Sequence, residues 1–213
     1  MTDMHLMHVE PVTLAGRSVR LEPLTIEHVP ALARVGLEPE LWRLQPASIE
    51  SADDMRGYVE NALDEQRRGT ALPFVIIDQA SGQVIGSTRY FDIAREHRRL
   101  EIGATWLTSA FQRTAANTEA KLLLLTHAFE RLGAIRVVFK TEVLNEKSRA
   151  ALTRIGAVEE GIFRKHLLAH SGRARDMVYY AILKEEWPAV KARLTNLLHA
   201  RAHRAAKSEL ANS

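Results

Sequence analysis

The sequence predicts an α/β domain: a mixed, mostly antiparallel sheet around a central parallel β-α-β unit, flanked by helices. Three observations carry this. Leu100 to Leu107 alternates like a strand, with Leu100, Ile102, Ala104 and Trp106 on one side and Glu101, Gly103, Thr105 and Leu107 on the other. The run from about Thr118 to Leu132 is apolar over a wide helical arc, and Ile135 to Glu142 is rich in β-branched residues. A crossover helix between two strands makes them parallel neighbours, whereas Ala80-Ser81-Gly82 and Ser171-Gly172 join strands as antiparallel hairpins.

The elements follow in order. Residues 1–12 read as a loose lead-in, and Ser18 to Leu24 alternates like a strand. His28 to Val35 has apolar residues at helical spacing. Ser51, with Asp54 three residues on, forms an approximate capping box for a helix to about Arg68. Leu72 to Asp78 and Gln83 to Phe91 are the first hairpin, followed by the β-α-β unit, whose helix Gly133 is placed to terminate. Asn145 caps a helix that ends near Gly156, and Val158–Leu168 pairs with Ala174–Leu183. After Trp187 the chain is helical, then polar and Ala-rich, with the last dozen residues read as frayed or disordered.

A chain of 213 residues suffices for one substantial core. The expected division is a lead-in at 1–12, one domain at 13–195 and a polar tail at 196–213. No apolar run approaches the roughly 20 residues of a membrane span, and the N-terminus lacks a basic region followed by an apolar block. A cytoplasmic protein without a membrane partner is expected. Cysteine is absent, which removes disulfides, thiolate metal sites and cysteine nucleophiles. The net charge of +3 is small and its basic residues are spread along the chain, which argues against nucleic acid as a partner. His199 and His203 stand at i, i+4 without a third ligand, so no metal site is expected. The sequences of P-loops, nucleophile elbows and zinc proteases are missing.

The stretch Phe111-Gln112-Arg113-Thr114-Ala115-Ala116-Asn117-Thr118 joins the first parallel strand to its crossover helix. A short loop of small residues opening a helix is an anion site, because the first helical N–H groups lack internal partners and the dipole favours negative charge. Asn117 is the expected cap, with Thr118 competing for it or adding a hydroxyl to a phosphate, and Arg113 adds charge. Asn145 and Ser148, three residues apart, share a helix face at the C-terminal end of the second parallel strand, where ligands commonly sit.

Taken in this order, Leu100-Glu-Ile-Gly, the Gln112 loop, Asn145-Glu-Lys-Ser148, Ile155-Gly156-Ala157 and Asp176-x-x-x-Tyr180 resemble the GNAT superfamily of acyl-CoA N-acetyltransferases. Within it, the chain looks most like the Rim-type branch of ribosomal-protein N-terminal acetyltransferases. The resemblance spans roughly residues 16–187. It implies acetyl-CoA as co-substrate, with its phosphates on the backbone from Gln112 and Arg113 through Thr114, Ala115, Ala116 and Asn117 to Thr118. The family pattern Gln/Arg-x-x-Gly-x-Gly/Ala has Ala115 and Asn117 at its two small positions here. Ala permits close backbone approach, and Asn tolerates a left-handed conformation.

The resemblance further implies that Asn145 bonds the pantetheine arm, with a plain helix cap as the alternative. Ser148 would protonate the departing thiolate, and N–H groups near Trp106 and Leu107 would stabilise the oxyanion. Glu101 is the candidate base, because only a neutral amine attacks a thioester. Its alternative is a surface glutamate paired with Arg98 or Arg99. The implied acceptor is a primary amine, a protein N-terminus or a small molecule, attacking directly in a ternary complex. The protein would act as a monomer or homodimer. Two other readings remain: a non-catalytic acyl-CoA-binding regulatory module, and a ribosome- or nucleic-acid-binding protein using the basic segment Lys191 to Lys207.

Overall fold

The structure, a computed structural model, describes residues 6–45 and 47–211, with side chains to residue 203. Eight strands form one sheet: β1 (Leu14–Ala15), β2 (Val19–Pro23), β3 (Leu72–Asp78), β4 (Val84–Ala94), β5 (Arg99–Leu107), β6 (Arg136–Glu142), β7 (Val158–Leu168) and β8 (Ala174–Leu183). Their order is β1-β2-β3-β4-β5-β6-β8-β7. Every pair is antiparallel except β5 and β6. Among the described residues, six α-helices flank the sheet: α1 (Val29–Gly36), α2 (Pro39–Trp42), α3 (Ala52–Arg67), α4 (Ala116–Thr126), α5 (Glu146–Ile155) and α6 (Trp187–Ala211). The expected mixed sheet around one parallel β-α-β unit is present.

Two apolar cores lie on opposite faces. One joins Leu100, Ile102, Leu107, Val137, Phe139, Val178 and Tyr180 of the sheet to α4 and α6. The other joins Val75, Ile77 and Trp106 to α1 and α3 through Leu32, Met55 and Val59. The local signals act as expected. Ser51 accepts from the Asp54 N–H while the Asp54 carboxylate accepts from Ser51 N–H, a complete capping box. Gly156 closes α5 at φ 99°, and Gly172 turns β7 into β8 at φ 80°.

Several expectations are corrected. Met7 and Val9 are buried in the first core, so the lead-in is docked there, while residues 1–5 lie outside the described range. The crossover helix starts at Ala116 and passes into a π-helical turn at His127–Arg131. The C-terminal segment continues as helix to Ala211, in keeping with the high helix propensity of its alanines; residues 212 and 213 are not described.

The largest correction concerns β5. Ala104 sits at φ 44°, and the register with β4 shifts between Ser87/Trp106 and Arg89/Gly103. This is a β-bulge, and one extra residue exchanges the faces of everything beyond it. Trp106 therefore leaves the face of Leu100 and Ile102 and packs 5.4 Å from Trp42 on the α1–α3 side. Leu107 moves to the α4 side.

Candidate active site

The parallel ladder pairs Arg99 with Arg136, Leu100 with Val137 and Glu101 with Val138, and stops there. From Ile102 onward the two strands part, leaving a gap whose walls are the distal half of β5 and of β6. The bulge decides which backbone groups face it. Thr108 N–H donates to the Ile85 carbonyl of β4 at 2.9 Å, so by antiparallel alternation the Leu107 N–H points the other way, toward β6. The Leu107 carbonyl is correspondingly free of β4 and accepts from Gln112 Nε2 at 3.1 Å. By the same alternation the backbone of Trp106 is turned to β4, where a Cβ at Gly86 would collide with its carbonyl oxygen. Of the two expected backbone donors, Leu107 faces the gap and Trp106 does not.

The loop at the head of α4 differs in detail from its sequence reading. Arg113 is the left-handed residue, at φ 60°, while Ala115 has ordinary helical angles. Thr114 organises the turn: its hydroxyl donates to the Phe111 carbonyl at 2.7 Å and accepts from Ala116 N–H at 3.2 Å. Asn117 lies inside the helix and does not cap it, and its Oδ1 is buried without a partner. Thr118 is buried, and its hydroxyl accepts from Arg154 Nη2 at 3.2 Å, tying α4 to α5. That contact uses a lone pair of the hydroxyl and leaves its proton available as a donor. The backbone is less committed: among the described residues, the N–H groups of Arg113, Thr114, Ala115, Asn117 and Thr118 have no backbone acceptor. These donors at a helix N-terminus fit a phosphate.

Asn145 caps α5, its Oδ1 accepting from Ser148 N–H at 3.1 Å. Its amide nitrogen has no hydrogen-bond partner among the described residues, so the cap and a ligand contact are compatible. The Ser148 hydroxyl is half-buried and similarly uncommitted. Helix α5 packs against α6 and the β6–β7 end of the sheet, so Ser148 approaches from the α4–α6 side.

Glu101 approaches from the other face. It is 2% exposed, with Oε2 at 2.9 Å from Lys140 Nζ, and Oε1 is buried without a partner among the described residues. Lys140, not Arg98 or Arg99, is its counter-ion. Gly103 leaves room for this carboxylate: a Cβ there would lie 3.2 Å from Oε1 and strike the Phe91 ring. Burial raises the Glu101 pKa to about 7 against the opposing pull of Lys140. Phe91 lies under Lys140, with the ammonium 4.9 Å from the ring centroid, and also lines a cleft of about 270 Å³ with Asp92, Arg99, Glu65 and Thr70. Tyr179, opposite Lys140 in register, shares a hydrogen bond of 2.9 Å with His166. Lys140 was not singled out in the sequence, although its place two residues after Val138 puts it on the face of Glu101.

A parallel pair whose strands part beyond a bulge, a phosphate-ready loop at one end and a buried, half-satisfied carboxylate on the wall make up one candidate site in an α/β fold. The GNAT acetyltransferase domain model matches residues 18–158, and the chain belongs to that family. It is 39% identical over 110 residues to the Bacillus subtilis (strain 168) protein named Putative ribosomal N-acetyltransferase YdaF. That match covers 52% of this chain and 59% of YdaF. A GCN5-related N-acetyltransferase from Brucella melitensis superposes with TM-score 0.85 at 29% identity, over 93% of this chain and 90% of that one. Mycobacterium smegmatis RimJ, solved in complex with CoA-disulfide, gives TM-score 0.76 at 25% identity over 90% of this chain and 96% of RimJ. The Rim-type resemblance agrees with these relatives.

Proposed function

We propose that the protein transfers an acetyl group from acetyl-CoA to a primary amine, with the α-amine of a protein N-terminus as the favoured acceptor. The observation that carries this is the β5–β6 gap, with uncommitted groups on three sides: the N–H groups of Arg113, Thr114, Ala115, Asn117 and Thr118, the Leu107 N–H, and Oε1 of Glu101. The relative named as a ribosomal N-acetyltransferase and the RimJ complex support the acceptor and the donor class.

In this reading the CoA pyrophosphate lies on the loop backbone and Asn145 orients the pantetheine arm. The amine nitrogen attacks the thioester carbonyl, so a C–N bond forms and the C–S bond breaks. Leu107 N–H donates to the carbonyl oxygen as it gains charge. Glu101, from the α1–α3 side, takes the amine proton, and Ser148, from the α5 side, supplies one to the thiolate. A carboxylate with pKa about 7 suits this task, being largely ionised at the pH where an α-amine of pKa roughly 7.7–8.0 begins to lose its proton.

The test is release of free CoA from acetyl-CoA in the presence of peptides with free α-amines, lysine side chains with blocked N-termini, and small amines. Release with α-amine peptides above the other two is expected. No release with any acceptor, in a protein that still binds CoA, supports a regulatory acyl-CoA-binding module instead.

A further inference from the structure

Lys121 is a second buried charge beside the gap, and the reading above does not use it. It lies on α4, 6% exposed, and burial alone lowers its pKa to about 7. No carboxylate among the described residues offsets that burial. Its Nζ donates to Thr105 Oγ1 at 2.8 Å and stands 5.8 Å from the centroid of Phe139 on β6. The ammonium thus spans the two strands where they part. With Nζ as the donor, Thr105 Oγ1 accepts and has its own proton to donate onward. Two acceptors are in reach: Thr88 Oγ1 at 2.7 Å and the Gly103 carbonyl at 3.4 Å, which Thr88 also approaches at 3.5 Å. The relay ends on the peptide joining Gly103 to Ala104, the left-handed residue of the bulge.

Removing a lysine from water without a carboxylate is costly, and methionine would fill the volume without that cost. What the ammonium holds is a register. If the bulge is lost, every residue beyond it changes side, and the Leu107 N–H turns from the gap toward β4. We propose that Lys121 is a positioning residue for acyl transfer, which through Thr105 and Thr88 locks the Ala104 bulge and so aims the Leu107 N–H at the thioester carbonyl. This rests on the acyl-CoA reading of the gap.

The experiment compares wild type with Lys121→Met, Thr105→Val and Thr105→Ser, using calorimetric binding of CoA and of acetyl-CoA, steady-state kinetics and thermal melting. CoA contacts the loop and lacks the acetyl carbonyl, so its affinity stays within about twofold in all variants. Lys121→Met and Thr105→Val bind acetyl-CoA several-fold more weakly relative to CoA, and their kcat falls about 10- to 100-fold with the amine KM little changed. Thr105→Ser, which keeps the hydroxyl, restores both. The proposal is overturned if folded Lys121→Met and Thr105→Val keep kcat within twofold of wild type, or if Thr105→Ser is as impaired as Thr105→Val. A wild type that binds neither CoA nor acetyl-CoA overturns the donor assignment itself and is recognised before any variant is read.

Discussion

Two buried glutamates, Glu119 and Glu101, are handled by the fold in opposite ways. Glu119, in the first turn of α4, accepts from the backbone N–H groups of Arg17, Ser18 and Val19 at 2.8, 2.6 and 2.9 Å. It pins the β1–β2 turn to the helix, and a Cβ at Gly16 would press on its carboxyl. All three of these contacts come from backbone N–H groups about a hundred residues away in the sequence. Glu101 has one oxygen on the Lys140 ammonium and the other without a partner among the described residues. A carboxylate saturated by backbone donors belongs to the scaffold, and one left half-satisfied beside a gap is available to a substrate proton.

The contrast makes predictions in opposite directions. Glu101→Gln should lower kcat by about 100-fold or more while raising stability near pH 8 by about 1–3 kcal/mol, seen by chemical denaturation. The sign follows from its folded pKa of about 7 against a reference of 4.5. The folded state keeps the proton longer than the unfolded chain, so stability from this group is complete below about 4.5 and is lost as pH rises through 7. Glu119→Ala should do the reverse. Stability falls by about 2–4 kcal/mol because backbone donors are orphaned, while kcat of the folded protein stays within a few-fold. A Glu119→Ala that is stable but inactive would erase the distinction.

Arg113→Gly is the smallest perturbation. It removes a left-handed non-glycine conformation and should gain about 0.5–1 kcal/mol, a rise in Tm of about 2 °C. Because the loop N–H groups remain, CoA affinity should drop only through the missing charge, by a few-fold in calorimetry.

The sequence made the scaffold legible wherever a single residue type has one local use. Ser51 with Asp54, Gly156, Gly172 and the β-branched run of β6 all did what their chemistry requires. The bulge was illegible because its left-handed residue is alanine, which carries no turn signal, and strict alternation then misassigned Trp106 and Leu107. Asn117 was a good cap by type, but Thr114 supplied the hydroxyl one turn earlier. Glu101 is legible as the charged group facing away from the apolar series Leu100, Ile102 and Ala104. Lys121 lies within the apolar arc of a helix, and only the tertiary fold shows that no carboxylate among the described residues meets it. Lys140 needed the parallel register to be seen beside Glu101.

The central claim is that Glu101 takes the amine proton at the β5–β6 gap. The most direct measurement is the single-turnover rate of acetyl transfer to an α-amine peptide across pH 6–9, for wild type and Glu101→Gln. The account predicts a wild-type rate that rises through an inflection near 7 and then with the amine, and a variant about 100-fold slower at pH 7 that lacks that inflection. Equal rates and the same profile in both proteins would contradict it.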